Sequence, residues 1–272
     1  MSPERRTRTA EKREPINVEW ERLLDEALEA PGQMGNTYNR FYRFSLLNQM
    51  LVRMQGVSEP IATYKGWGAL DRQVQRGSKA KFIYRPLFKK ELNELGVEEQ
   101  KLKGFKLVPC IFGLSETEGA ELPEVEPLQW SKERALGALA ITQVAFDQTD
   151  GNIQGFSRGR EFAINPLAAY PLKTTWHEWG HIEHGHTTPE QLQEYRTHRG
   201  LKEAEAETTA YLGMHAIGAE GQFDAAESRS YIQTYLDGNE LPETSIRRIF
   251  TVTDRIYSAG IENKSIDESS ER

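Results

Sequence analysis

Residues 177–181 read His177-Glu178-Trp179-Gly180-His181, and this stretch determines the prediction for the second half of the chain. Two His residues four positions apart lie one turn apart on the same face of a helix, so their ring nitrogens can bind one ion at about 2.0–2.1 Å each. Glu178 follows the first His and can reach a water held by that ion. The pattern therefore predicts a zinc site, with His177 and His181 as ligands and Glu178 as the general base.

A third protein ligand is expected, with the fourth position left for water. The next predicted helix, over about residues 201–217, offers Glu203, Glu205 and Glu207. Glu205 shares the face of the apolar residues of that helix, where an unpaired carboxylate is costly. We therefore predict Glu205 as the third ligand and keep Glu207 as the second choice.

The same residues also allow interpretations without a catalytic metal. A pair of His residues can be ordinary polar side chains on a helix surface, and the Glu-rich run can be a solvated helix face. A metal site can also be structural and take no part in catalysis.

Tyr211 and His198 are the candidates for stabilising an oxyanion in the predicted hydrolytic site.

The composition predicts a folded, soluble chain. The 272 residues are 38% hydrophobic and 28% charged, which allows a sizeable core. No stretch approaches the ~20 apolar residues of a membrane span, so we expect no membrane partner, and the N-terminus lacks the apolar run of a secretory signal. Cys110 is the single cysteine and cannot form an internal disulfide, which fits a reducing compartment. We expect a cytoplasmic protein.

The spacing of apolar residues predicts a mixed α+β fold in two units. The predicted helices cover about residues 16–30, 37–55, 64–75, 131–139, 166–186, 201–217, 225–236 and 243–259. The predicted strands cover residues 81–86, 105–112, 140–146, 153–156 and 161–164. The resulting division is a polar, disordered tail at 1–14, a first domain at 15–115, an acidic Pro-containing linker at 116–127, a second domain at 128–260 and a polar tail at 261–272.

The first unit is strongly basic. Residues 36–90 contain eleven Lys or Arg side chains and only two acidic ones, Glu59 and Asp71. Aromatic residues are interleaved with these cations, and this combination is typical of sequence-tolerant binding to single-stranded nucleic acid, in which cations contact phosphates and aromatic rings stack on bases. An ordinary core with a solvated charged face would give the same composition. The candidate binding residues are Arg40, Arg43, Tyr64, Lys65, Trp67, Arg76, Lys79 and Lys81.

The chain resembles the antirestriction proteins of the ArdC type, which are encoded on plasmids and phages. In the first unit the resemblance rests on residues 39–48 (NRFYRFSLLN), 62–67 (ATYKGW) and 74–80 (VQRGSKA). In the second unit it rests on residues 177–181 and on residues 203–211 (EAEAETTAY), and the latter are also similar to the third-ligand helix of ImmA/IrrE-type peptidases.

This resemblance implies an N-terminal single-stranded-DNA-binding domain followed by a zincin-like metallopeptidase domain, and a role in protecting a plasmid or phage against host restriction. Two alternatives remain. One is a DNA-binding antirestriction factor with a structural metal site. The other is a metalloprotease that regulates a repressor without contacting DNA.

Overall fold

The computed structural model describes residues 14–30, 44–92, 98–123, 129–150, 152–194 and 199–261. The helices within these ranges are α1 (Trp20–Glu29), α2 (Leu46–Met54), α3 (Tyr64–Ala69), α4 (Lys132–Leu139), α5 (Pro171–Glu183), α6 (Pro189–Glu194), α7 (Arg199–Ala216), α8 (Ala225–Leu236) and α9 (Glu243–Gly260). The strands are β1 (Ile61–Thr63), β2 (Arg72–Val74), β3 (Lys81–Leu92), β4 (Glu98–Gly113), β5 (Thr117–Gly119), β6 (Thr142–Gln143), β7 (Gly155–Arg158) and β8 (Glu161–Ile164). The α+β prediction is confirmed.

Local sequence signals account for the start of several helices. The side chains of Ser45, Ser131 and Asp224 each accept a hydrogen bond from a backbone N–H in the first turn of the following helix. These bonds satisfy donors that a helix start otherwise leaves without a partner. Helix α5 begins instead at Pro171, whose fixed φ and missing N–H suit a first helical position.

The strands form three small sheets. Strand β4 lies between β1 and β3 and is antiparallel to both. Strands β2 and β5 form an antiparallel pair. In the third sheet β8 lies in the middle, with β6 parallel to it on one side and β7 antiparallel on the other. Within the described ranges no helix combines the length and the apolar character needed to cross a bilayer.

Strands β3 and β4 are much longer than the sequence predicted. Their pairing runs from Lys81 opposite Ile111 out to Leu92 opposite Glu98, so the polar segment that we predicted as an insert continues the two strands. We call residues 81–92 and 98–113 the β-arm. The predicted helix over 64–75 is also wrong in its second half, because residues 72–74 form β2 opposite β5.

One large hydrophobic core joins elements from both ends of the chain. Leu23 and Met50, from α1 and α2, belong to the same buried cluster as Trp176, Tyr211 and Ile249 from α5, α7 and α9. The Tyr211 hydroxyl donates to the Leu28 carbonyl at 2.7 Å, which ties α7 to α1. The helices of the predicted first domain therefore pack on those of the predicted second domain. The boundary at residues 116–127 stays a prediction, and residues 124–128 lie outside the described ranges.

Small residues line the contact between helices α5 and α7. A Cβ on Gly180 would meet the backbone of Ala206 at 3.2 Å, and a Cβ on Gly213 would overlap the Trp176 ring. Glu203 precedes Ala206 by three residues, so it lies on the same side of α7 and faces α5. This packing places an acidic side chain of α7 opposite the His pair of α5.

Candidate metal centre

Three side chains of α5 and α7 converge on one point. The Nε2 atoms of His177 and His181 are 3.1 Å apart, and Glu203 Oε2 lies 3.3 Å from the first and 3.5 Å from the second. Bonds of about 2.0–2.1 Å from a tetrahedral ion would separate its ligand atoms by about 3.3 Å. The triangle therefore fits one metal ion, and these three residues form a group that could hold it.

The predicted third ligand, Glu205, is not part of this triangle. Its Oε2 lies 2.8 Å from His186 Nε2 and 4.0 Å from His184 Nδ1. The prediction relied on an apolar face of α7, but residues 202–216 of this helix are all buried, so burial does not single out the face that meets α5. The geometry favours Glu203. The signal that could have identified it is the run of small residues at 206, 210 and 213, which continues the same side of the helix as residue 203.

Glu207, the second choice, lies behind His177. Its Oε2 is 2.9 Å from His177 Nδ1, and its carboxylate also contacts Lys173 Nζ at 2.6 Å and accepts a hydrogen bond from Ser228. Since a carboxylate only accepts, Nδ1 of His177 carries a proton and Nε2 is left to face the triangle. Glu207 thus fixes the ring orientation that a metal ligand needs.

The electrostatics of the centre favour a cation. Burial by itself lowers the pKa of His177, but the carboxylates of Glu203 and Glu207 outweigh burial and raise it to about 10. Burial likewise opposes ionisation of Glu203, yet its hydrogen bonds with the two His rings hold its pKa well below the ordinary range. A site that attracts a proton this strongly also attracts a metal ion, which competes with that proton for the same nitrogen.

The predicted general base, Glu178, lies next to this centre. It is 7% exposed, and its Oε2 accepts a hydrogen bond from Ser157 Oγ at 2.7 Å. Ser157 lies on β7, which is at one edge of the third sheet. Gly155, two residues earlier on the same strand, leaves room for the Glu178 side chain, because a Cβ on residue 155 would lie 3.2 Å from Glu178 Cγ. Sequence reasoning missed Ser157, because nothing in its local pattern indicates a contact with α5.

The two oxyanion candidates have different outcomes. Tyr211 is fully buried, donates to Leu28 and accepts from Arg229 at 2.8 Å, so its hydroxyl is occupied in the core. His198 lies outside the described residues. Tyr235 is a further candidate that the sequence analysis did not identify. Burial and the negative charges of Glu203 and Glu207 raise the pKa of its hydroxyl to about 12, so the hydroxyl stays neutral and can donate a hydrogen bond.

The structure describes six of the eight predicted nucleic-acid residues, and they differ in exposure. Arg40 and Arg43 lie outside the described residues. Trp67 is fully buried and donates its ring N–H to the Phe112 carbonyl at 3.0 Å, so it is a core residue that cannot stack on a base. Lys81 pairs with Glu116 at 2.9 Å. The exposed members of the set are Tyr64, Lys65, Arg76 and Lys79.

The β-arm exposes both apolar and charged side chains to solvent. Cross-strand partners share a face, so Phe88 with Leu102 and Pro86 with Phe105 define one face of the arm. Phe88, Leu102 and Phe105 are 56%, 50% and 62% exposed. The opposite face carries the pairs Arg85–Lys106 and Lys89–Lys101, and Lys103 stands at the bulge between the two registers.

The solved structures that are similar to this chain include two of the antirestriction protein ArdC from the R388 plasmid. The metal-free structure shares 16% identity over 94% of this chain and 98% of that chain, with a TM-score of 0.46. The Mn(II)-bound structure shares 16% identity over 92% of this chain and 100% of that chain, with a TM-score of 0.48. Similarity at this level assigns no residue role. No protein-family model and no curated protein matches the chain.

Proposed function

We propose that this protein is a zinc-dependent hydrolase of peptide bonds whose metal is held by His177, His181 and Glu203. The observation that carries the proposal is the triangle of two imidazole nitrogens and one carboxylate oxygen, with edges of 3.1, 3.3 and 3.5 Å. Two nitrogens and one oxygen form a donor set that suits zinc, and three protein ligands are typical of catalytic sites, whereas structural sites are closed by four.

The chemistry of this site follows from the position of Glu178. When bound, a divalent cation supplies a Lewis acid that polarises a carbonyl and activates water. Glu178 accepts the proton of the attacking water and passes it to the leaving amine. Ser157 donates to one carboxylate oxygen of Glu178 and so holds this side chain in place for both transfers.

An extended peptide is the substrate class that the surroundings favour. Strand β7 pairs with β8 along one side, and within the described part of the chain its other side has no strand partner. An extended chain can add to such an edge through main-chain hydrogen bonds. Because β7 also carries Ser157 beside Glu178, a peptide paired with this strand would pass close to the general base.

Replacing Glu178 with Gln tests the catalytic proposal against a purely structural metal. We expect the Glu178→Gln variant to retain about one metal ion per chain and to lose hydrolysis of a casein or peptide-library substrate by at least about 10²-fold. Equal activity in both proteins, with the metal retained, would show that the centre is structural. A His177→Ala variant, which should lose both metal and activity, is the matched control.

We further propose that the protein binds single-stranded DNA and acts as an antirestriction factor of a plasmid or phage. The support is the sequence resemblance at residues 39–48, 62–67 and 74–80, together with the β-arm. The arm combines exposed apolar side chains, on which bases can stack, with lysines whose long side chains can reach around the strand edges to phosphates.

The β-arm and the sequence-predicted site can be separated experimentally. We expect a Phe88→Ala/Phe105→Ala variant to weaken binding of a fluorescent oligodeoxythymidine by about 10-fold or more, since each stacked base contributes ~1–3 kcal/mol. Tyr64→Ala, at an aromatic residue that is 64% exposed on α3, is the matched comparison for the sequence-predicted site. A chain that binds no single-stranded DNA at low salt would instead favour the metalloprotease without direct DNA contact.

A further inference from the structure

A chain of hydrogen-bonding groups runs from His181, away from the metal centre, to a buried carboxylate. His181 Nδ1 lies 3.0 Å from His186 Nδ1, and His186 Nε2 lies 2.8 Å from Glu205 Oε2. All three side chains are buried, at 6%, 4% and 5% exposure. Ser245 of α9 also contributes a hydrogen bond to Glu205.

Only one arrangement of protons satisfies this chain when His181 Nε2 faces the metal. Glu205 Oε2 lies 2.8 Å from His186 Nε2, and since a carboxylate accepts hydrogen bonds, His186 Nε2 carries the proton and donates it to this oxygen. A neutral His186 then has a bare Nδ1, which accepts the proton on His181 Nδ1. His181 is thereby left with a bare Nε2, which is the form that binds a metal.

The same arrangement argues against a second metal ion nearby. His184, His186 and Glu205 form another group that could hold a metal. However, His186 Nε2 and Glu205 Oε2 are 2.8 Å apart, which is a hydrogen-bond distance, and His184 Nδ1 is 4.0 Å from the same oxygen. Ligand atoms around a tetrahedral ion would be separated more evenly, at about 3.3 Å. The proton on His186 Nε2 occupies the position that such an ion would need.

We propose that His186 and Glu205 are positioning residues for the metal centre: through their two hydrogen bonds they fix the tautomer and the ring orientation of His181. This inference rests on the proposed metal site and adds two residues to it. His186 differs from a carboxylate bonded directly to a ligand, because its ring is neutral and accepts a hydrogen bond from His181 while it donates one to Glu205. Glu207 bonds directly to His177, whereas Glu205 acts on His181 through the intervening ring of His186.

Three variants of the full chain test this role. His186→Ala removes the bridge and should weaken Zn²⁺ binding about 10–100-fold, as loss of outer hydrogen-bond partners does at other metal sites. His186→Gln keeps one acceptor and one donor and should restore part of the affinity. His184→Ala is the control, because this ring is equally buried and stacks on His186 with centroids 5.2 Å apart but stands outside the hydrogen-bonded chain.

The readouts are Zn²⁺ affinity by competition with a chromophoric chelator, the visible absorption spectrum of the Co²⁺-loaded protein, and the Tm of the metal-free protein. We expect only the His186 variants to shift affinity and spectrum, with His184→Ala within about threefold of the parent. If His184→Ala and His186→Ala lost equal Zn²⁺ affinity, and each loss followed a drop in Tm, His186 would act only through packing and the inference would be overturned. Two metal ions per chain, one lost in Glu205→Gln, would also overturn it while leaving the first site intact. A parent chain that binds no metal would remove both proposals.

Discussion

The indole of Trp176 packs directly against Gly213, so that a Cβ on residue 213 would overlap the ring. This contact lets α5 approach α7 closely enough for Glu203 to reach the His pair. The metal centre therefore depends on a residue that carries no functional group.

A Gly213→Ala substitution should destabilise the protein although alanine favours helices. The overlap forces Trp176 or α7 to move, and such overpacking typically costs about 1–3 kcal/mol. Chemical denaturation measures the change in free energy of unfolding. Gly137→Ala in α4 is the control: an added Cβ there meets nothing within 4 Å, so it should stabilise by about 0.5–1 kcal/mol. Equal effects of both substitutions would contradict the close packing of α5 on α7.

Ser157 should affect catalysis without affecting metal binding. Removing its hydroxyl in Ser157→Ala takes a hydrogen bond from the ionised Glu178, a type of bond that contributes about 1.5–3 kcal/mol. We expect kcat for peptide hydrolysis to fall about tenfold or more while the metal content stays at that of the parent. Ser157→Thr keeps a hydroxyl and should retain more activity than the Ala variant. Loss of the metal in Ser157→Ala would show that the residue supports the centre in another way.

The pair of Lys81 and Glu116 predicts a pH dependence of stability. Burial acts to raise the pKa of Glu116, but hydrogen bonds from Lys81 and the Gly113 backbone outweigh it and lower the pKa below its ordinary value of 4.5. The stabilisation is therefore fully present above pH 4.5 and is lost as the pH falls through the lowered pKa. Glu116→Gln should reduce stability by about 1 kcal/mol at pH 7 and by less at pH 3. A deficit that is independent of pH between 3 and 7 would contradict this pairing.

The β-arm should give single-stranded-DNA binding a measurable salt dependence. Each phosphate contact contributes about 0.7 to the slope of log affinity against log salt concentration. Replacing Lys101, Lys103 and Lys106 with Gln should therefore lower that slope by up to about 2. Lys101 lies 3.8 Å from Glu91 but its side chain is 77% exposed, whereas the Lys81 side chain is 19% exposed and pairs with Glu116 at 2.9 Å. Lys81→Gln should therefore change the slope less. Unchanged slopes in the triple variant would exclude the arm as the phosphate-binding surface.

The sequence predicted best those helices in which the apolar residues recur at helical spacing and local residues mark the ends. The α+β class and the helix at residues 225–236 are present as predicted, because apolar spacing and capping residues act locally. The helix that carries the His pair is also present, but it begins at Pro171 rather than near residue 166 and ends at Glu183. The sequence did not indicate that Glu203 is the Glu residue that lies beside the His pair. Residues 202–216 of α7 are all buried, so the apolar residues of this helix do not show which face meets α5.

Two further differences have long-range causes. Residues 87–92 and 98–104 are rich in Lys and Glu, yet they form strands because each strand supplies the other with hydrogen-bond partners, which local propensity does not reveal. Trp67 belongs to a motif that suggested base stacking, yet its ring fills the core and its N–H is used by Phe112. Composition cannot distinguish an aromatic residue that builds a core from one that binds a ligand.

Metal analysis can identify the third ligand in four purified proteins dialysed against limiting Zn²⁺: the parent, Glu203→Gln, Glu205→Gln and His177→Ala. We expect about one zinc per chain in the parent, little or none in the Glu203 and His177 variants, and a retained but weaker site in Glu205→Gln. A Glu203→Gln protein that keeps its full zinc, while Glu205→Gln loses it, would show that Glu203 is not a ligand.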